Sequence, residues 1–349
     1  MKTYERDANM DLMRITAMLL VMVFHVNYYN IALEEGNVSN YTGMQLLGYS
    51  FMKCISMVCV NMFILISGWY GIHPSIKGFC KLVFQIWFFS IPTYLILCCI
   101  YVDLHFSFIT LTHIVSFGGY WFIPAYLLLY ICAPILNMFV LYASRSVFKY
   151  LTLVFFRFEF FVGWLKHETY FDHGCSPLAF CGLYLVARYI RLYSTKLNHI
   201  KTNALVSCYI FILSVSTVLC CFLTIRFGQK YAEILMQYIS PFNIMLSVLL
   251  LVLFTKIKIK SHYVNKIGIS CFSAYLLHGS PFFYNKIYYP LGCKIFYIDS
   301  VLLSVLSTLL MIVFFFLLSI MIDFLRIAIW EKIERNYAFH TTNADNKDL

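Results

Sequence analysis

Apolar runs long enough to cross a bilayer recur about ten times along this chain, a pattern that excludes an ordinary soluble fold. They fall at residues 11–31, 46–70, 80–101, 120–141, 147–165, 177–193, 203–225, 234–254, 265–284 and 301–325. The fifth is interrupted by Arg157 and Glu159. The chain is 61% hydrophobic and 12% charged, with mean hydropathy +0.77. Soluble domains are roughly half apolar and about a quarter charged. The expected fold is therefore all-α: a polytopic membrane helical bundle of about ten transmembrane helices. An integral membrane domain is expected over 1–330, and a short cytoplasmic tail over 331–349, beginning as an amphipathic helix and fraying at 346–349.

Loop charges set the orientation. With the N-terminus inside, the inner segments hold Lys2 and Arg6; Lys77; Arg145; Lys196 and Lys201; Lys256, Lys258 and Lys260; and Lys332, Arg335 and Lys347. Lys81, Lys149, Arg188, Arg191, Lys266 and Arg326 lie at inner ends of spans, while the outer loops hold only Lys166, Arg226, Lys230, Lys286 and Lys294. An even number of spans then places both termini in the cytoplasm. The outer loops carry Glu34, Glu35, His105, His113, His167 and His173. The net charge of +10 thus reads as cytoplasmic-loop bias next to anionic lipid, and nucleic acid is not an expected partner. The first run has no small-residue cleavage site and is read as a permanent span rather than a signal.

The 13 cysteines are scattered, with no CxxC and no Cys/His spacing of a metal site, so neither a metal nor a disulfide scaffold is expected. The sequons at Asn37 and Asn40 are of a kind that arises often by chance. No internal repeat marks an inverted-repeat transporter.

The first span carries the residues most expensive to keep in lipid. Asp11 and Arg14 stand at i, i+3 and can pair on one face. His25 follows Arg14 by eleven residues, which returns to within about 20° of the same face and about 16 Å along the axis. Ionisable residues on one stripe of a span are a functional-site hypothesis by default. Arg14 reads either as an anchor that snorkels to the inner headgroups or as part of that site. His25 reads either as a hydrogen bond to a neighbouring helix or as a general base. Further candidates are Ser67, beside Gly68 in a close-packing pair; Trp121 and Tyr130, in an aromatic stretch that also holds Pro134; and His278, a second imidazole inside the membrane.

Several segments share an order and spacing with one family. The chain opens Arg6, Asp11, Arg14, His25, keeping an Arg-x10-His spacing. Val60 to Gly68 reads like V-D-x-F-F-x-x-S-G, with Asn61 in place of the acid. Trp121 to Leu127, Leu183 to Arg191 (similar to L-Y-x-x-G-x-Y-I-R) and Tyr275 to His278 follow in turn. On these motifs, from about residue 5 to 325, the chain resembles the acyltransferase-3 family of multi-span membrane acyltransferases.

The resemblance implies O-acyl transfer, most simply acetyl from acetyl-CoA, to a hydroxyl of a surface polysaccharide or lipid-linked sugar. His25 would be the catalytic base. Arg14, with Asp11, Arg188 and Arg191, would be donor-binding or structural. Acetyl-CoA would be a co-substrate, with no bound cofactor. Many relatives append an extracytoplasmic hydrolase-like domain; with none here, acceptor handling is expected from the membrane part or from glycan-assembly proteins. The expected location is a bacterial plasma (inner) membrane. On this reading CoA phosphates favour the basic inner face, including Lys256, Lys258 and Lys260. The pantetheine arm rises between helices to His25, and Ser67, Tyr130 or His278 is an oxyanion donor candidate. A glycan flippase or polymerase, a proton-coupled transporter and a structural scaffold are the rival readings. The first two favour acids lining the membrane interior, where Glu159 is the main one.

Overall fold

The computed structural model describes residues 8–34, 38–193, 197 and 199–345, without the side chains of residues 34, 39 and 337–345. Lys2, Arg6, Asp7, Glu35, Asn37, Lys196, Lys347 and the tail at 346–349 lie outside the described residues. Among those described there is no strand. The helices are α1 (Ala8–Val26), α2 (Tyr28–Glu34), α3 (Gly43–Ser56), α4 (Cys59–Tyr70), α5 (Ile76–Ile100), α6 (Phe108–Val115), α7 (Phe122–Tyr142), α8 (Arg145–Phe158), α9 (Pro177–Tyr193), α10 (Thr202–Phe227), α11 (Gln229–Leu235), α12 (Pro241–Lys256), α13 (His262–Ser270), α14 (Phe272–His278), α15 (Pro281–Phe283), α16 (Tyr289–Phe296) and α17 (Val301–Asp345).

Six helical stretches are long and apolar enough to span: Ala8–Leu33, Gly43–Tyr70, Ile76–Ile100, Phe122–Tyr142, Thr202–Phe227 and Val301–Asn336. The protein is thus a multi-pass membrane helical bundle. The other four expected spans are helical but short or interrupted. α8 passes into a π-helical turn, Glu159–Leu165, while α9 and α12 have 17 and 16 residues. The expected span 265–284 is three short helices. The chain turns at Cys271 and again at Gly279–Ser280, where Pro281 disfavours helical backbone in the residue before it. Ten crossings therefore remain an expectation. At the C-terminal end, α17 passes residue 330 without a break; its 45 residues reach about 68 Å, well beyond a hydrocarbon core of about 30 Å.

The helix ends sort as the loop charges require. Asn9 at the start of α1 donates to the Phe254 carbonyl at the end of α12 (3.0 Å), and Arg14 stacks on Tyr70 at the end of α4. Lys77 at the start of α5 pairs with Glu334 of α17, and Arg145 reaches the Tyr193 carbonyl at the end of α9. These ends form the basic, inner face. At the other end Tyr28 meets Thr308 and Phe296, and Lys286 pairs with Asp103.

α1 lies at the centre, packed by α3, α4, α12, α13, α14, α16 and α17. Two glycines allow close approach. A Cβ on Gly68 of α4 would lie 2.5 Å from the Tyr184 carbonyl oxygen and 2.9 Å from Ala187 Cβ of α9. A Cβ on Gly268 of α13 would lie 2.5 Å from Asp11 Cβ. Without hydrophobic drive between helices in lipid, such backbone approach is what lets dispersion hold them.

Candidate active site

His25 sits in the last turn of α1, which ends at Val26 because Asn27 takes a left-handed conformation (φ 62°) that asparagine tolerates. Its Nδ1 lies 3.0 Å from Nε2 of His278, the last residue of α14. Nδ1 of His278 is hydrogen-bonded to the Ala274 carbonyl one turn back. A carbonyl only accepts, so His278 Nδ1 carries a proton. In neutral His278, Nε2 is then the acceptor, and His25 Nδ1 donates to it. This leaves His25 Nε2 as a lone-pair nitrogen, with no hydrogen bond to any described residue.

Aromatic groups hold this pair. His278 is fully buried beneath Tyr288, 5.0 Å between ring centroids, and Tyr284 meets His25 edge-on at 5.8 Å. The Tyr288 hydroxyl donates to the Met22 carbonyl of α1 at 2.9 Å. The Tyr120 hydroxyl donates to the Leu276 carbonyl of α14 at 2.7 Å. Ser273 ties α14 to the Ser319 carbonyl of α17 at 3.1 Å.

Unlike His278, His25 retains accessible surface, in the wall of a cavity of about 410 Å³ including its open mouth. Met18, Phe63, Trp121, Phe122, Tyr238 and Tyr275 line it with the histidine. The Trp121 indole N–H and the Tyr238 hydroxyl make no hydrogen bond to described residues, so two donors are uncommitted there. The Tyr238 ring stacks near Trp121, with centroids 5.7 Å apart. Its backbone carbonyl accepts from Asn61 Nδ2 at 2.8 Å. A neutral amide donates there; an ionised acid has no proton to give.

A second group gathers at the inner end of α4. Asp11 is fully buried and pairs with Arg14 at 2.5 Å. The Tyr70 ring lies between Arg14 (5.6 Å) and Arg191 (5.3 Å). Arg191 donates to the Trp69 carbonyl at 2.6 Å, and Arg188 approaches the same oxygen at 3.5 Å. Arg188 Nε is buried without a partner. Neither Arg188 nor Arg191 forms an ion pair among the described residues, while Arg14 pairs with Asp11.

The sequence candidates thus divide into two clusters. His25, His278 and Trp121 come together at the cavity; Asp11, Arg14, Arg188 and Arg191 come together at the inner face. Ser67 and Tyr130 belong to neither cluster. The Ser67 hydroxyl donates to the Phe63 carbonyl at 3.0 Å and lies 3.3 Å from the Tyr126 hydroxyl. The Tyr130 hydroxyl is held by Ser75, accepting from its N–H at 3.0 Å and donating to its carbonyl at 3.2 Å, on the inner loop. His278 spends both nitrogens on His25 and Ala274, which leaves it no proton for an oxyanion. The cavity lining reaches down α1 to Met18, one turn above Arg14, and includes Phe63 and Phe122, on which Tyr126 stacks.

Three elements escaped the sequence reading: Tyr238, Lys53 and a buried Asp323–Arg326 pair (2.9 Å) on α17 joined by Gln85 of α5 at 3.0 Å. The i, i+3 spacing of Asp323 and Arg326 was a visible signal for the last. Among the described residues, no three His, Cys, Asp or Glu side chains gather as a metal site.

Neither a curated protein nor a solved structure matches the chain. A family model does: the one described as the acyltransferase domain of the acyltransferase-3 type matches residues 7–323, which takes in both clusters and nearly every described helix. With that extent of match, and a bundle of membrane-spanning helices behind it, the chain belongs to the acyltransferase-3 family and is a membrane acyltransferase.

Proposed function

We propose that the protein is an O-acyltransferase of a bacterial plasma membrane. It moves an acyl group, most simply acetyl, from acyl-CoA to a hydroxyl of a surface polysaccharide or lipid-linked sugar. The observation that supports this best is the chain from the Ala274 carbonyl through His278 to His25, which presents a fixed lone pair at an aromatic cavity. Flippases and polymerases have no need of an imidazole held in one tautomer.

In this reading His25 Nε2 accepts the proton of the acceptor hydroxyl as its oxygen attacks the thioester carbon. The resulting oxyanion accepts hydrogen bonds from the Trp121 indole N–H and the Tyr238 hydroxyl. Collapse breaks the C–S bond. The thiolate takes the proton from His25, and the ester and free CoA leave. The imidazolium is a transient, stabilised by its Nδ1–H bond to His278. The guanidiniums of Arg14, Arg188 and Arg191 bind the CoA phosphates, bidentate geometry favouring arginine for that task. The thioester arm then passes between Phe63, Phe122 and Tyr126, which have to part to admit it.

Mass spectrometry of the host's surface glycan, with and without the gene, tests the assignment. Loss of an ester-linked acyl group on deletion is the expected result. Unchanged acylation with altered export or chain length favours a transport role instead.

A further inference from the structure

Lys53 of α3 sits about 15 Å along the helix from Gly43, within the apolar stretch Gly43–Tyr70. Its ammonium lies 4.1 Å from the centroid of the Phe24 ring. It makes no ion pair and no side-chain hydrogen bond among the described residues. Glu233, a nearby acid, is exposed and accepts from Gln229 at 2.9 Å. A half-buried cation whose nearby acid is exposed and bonded elsewhere is incompletely compensated, and the cation–π contact satisfies only part of its demand.

Lys53 lines a cavity of about 230 Å³, its open mouth included, between α1, α2 and α3. The hydroxyls around it are already engaged: Tyr28 with Thr308, Tyr29 with Thr224 at 2.7 Å, and Ser56 with the Met52 carbonyl at 2.7 Å. The Asn27 amide, at the left-handed break that ends α1, makes no side-chain hydrogen bond among the described residues. Lys53 and Asn27 are thus two uncommitted donors in one cavity with no carboxylate in its lining. That cavity shares the Phe24 ring with the His25 cavity. The 4.1 Å from Lys53 to Phe24 and the 5.8 Å from Phe24 to His25 bound the ammonium to within about 10 Å of the His25 ring. That span matches the separation between an anionic group and a hydroxyl on one sugar unit or on adjacent units.

We infer that Lys53 and Asn27 form an anion subsite for the acceptor, binding a carboxylate or phosphate carried by the glycan while a hydroxyl reaches His25. The inference rests on the acyltransferase reading and adds the acceptor's charge class. A charge-assisted contact of this kind is worth about tenfold or more in affinity.

Thermal unfolding of the purified full-length protein in detergent tests it, with saturating acetyl-CoA present so that the inner arginines are occupied. The probes are glucuronate, glucose 1-phosphate and glucose. Wild type is expected to gain a saturable rise in midpoint with glucuronate or glucose 1-phosphate but not with glucose, and the responding probe names the anion. Lys53→Met should lose the response at least about tenfold in concentration, while Lys53→Arg retains it. His25→Ala should respond as wild type, because the subsite does not need the base. Equal response to all three sugars in wild type, or an undiminished response in Lys53→Met, overturns the subsite. Acyl transfer to a neutral sugar in the same preparation would leave the enzymatic reading standing. An anion response in a protein that transfers no acyl group would keep the subsite and remove that reading.

Discussion

His25 and His278, 253 residues apart in sequence, meet through a single hydrogen bond of 3.0 Å from Nδ1 to Nε2. Because His278 is itself fixed by the Ala274 carbonyl, the direction of that bond is determined and the second nitrogen of His25 is left basic. In the proposed mechanism His278 is therefore a positioning residue. His278→Phe is expected to lower kcat about 100-fold with little change in KM for acyl-CoA. His278→Gln, whose amide oxygen accepts from His25 Nδ1, should recover part of it. Steady-state acyl transfer by the three proteins separates this from a packing role, in which Phe would be the better replacement.

Arg191 contacts the Trp69 carbonyl and the Trp69 and Tyr70 rings, and no acid among the described residues. Arg191→Ala should raise KM for acyl-CoA about tenfold and leave kcat near wild type. Donor-concentration series at saturating acceptor measure this. An equal fall in kcat would place the residue in the chemical step.

Gly68 permits a close crossing of α4 and α9. Gly68→Val should destabilise the bundle by about 1–3 kcal/mol, since the approaching group is backbone and cannot yield. It should also separate Tyr70 from Arg191, weakening CoA-dependent thermal stabilisation along with the fold.

Asn61 donates to the Tyr238 carbonyl, and its own Oδ1 is buried without a partner. Restoring the family's acid by Asn61→Asp removes the donor and sets a carboxylate against a carbonyl oxygen. The expected cost is about 1–3 kcal/mol, read as a lower unfolding midpoint at neutral pH.

At the outer face, the hydrogen bond from Lys286 holds the Asp103 carboxyl below its ordinary range. A carboxyl depressed in the folded state stabilises above its unfolded pKa, and that contribution disappears as pH falls through the folded value. Protection of the 101–107 amides, taken relative to their intrinsic exchange rates, should thus hold at neutral pH and fall only at acidity below the usual carboxylate range. Asp103→Asn should show the lower protection throughout.

The membrane bundle and the stripe of Asp11, Arg14 and His25 were legible because hydropathy and helical periodicity are local properties. The pairing of His25 with His278 was not, since nothing in the spacing of either segment states that α14 will lie against α1. The break of 265–284 into short helices was marked by Pro281, but the apolar run around it masked the signal. Tyr238 and Lys53 belong to none of the motifs legible in the sequence. Their importance comes from what α12 and α3 bring them against. Ser67 and Tyr130 were attractive as hydroxyls, and only the packing shows those hydroxyls bonded at the inner face.

Removing the His25 imidazole puts its proposed proton transfer to measurement. Purified His25→Ala, confirmed as folded by an unfolding midpoint and CoA response matching wild type, should transfer no radiolabelled acetyl from acetyl-CoA to the host glycan. Transfer by that variant at a rate near wild type would contradict the account.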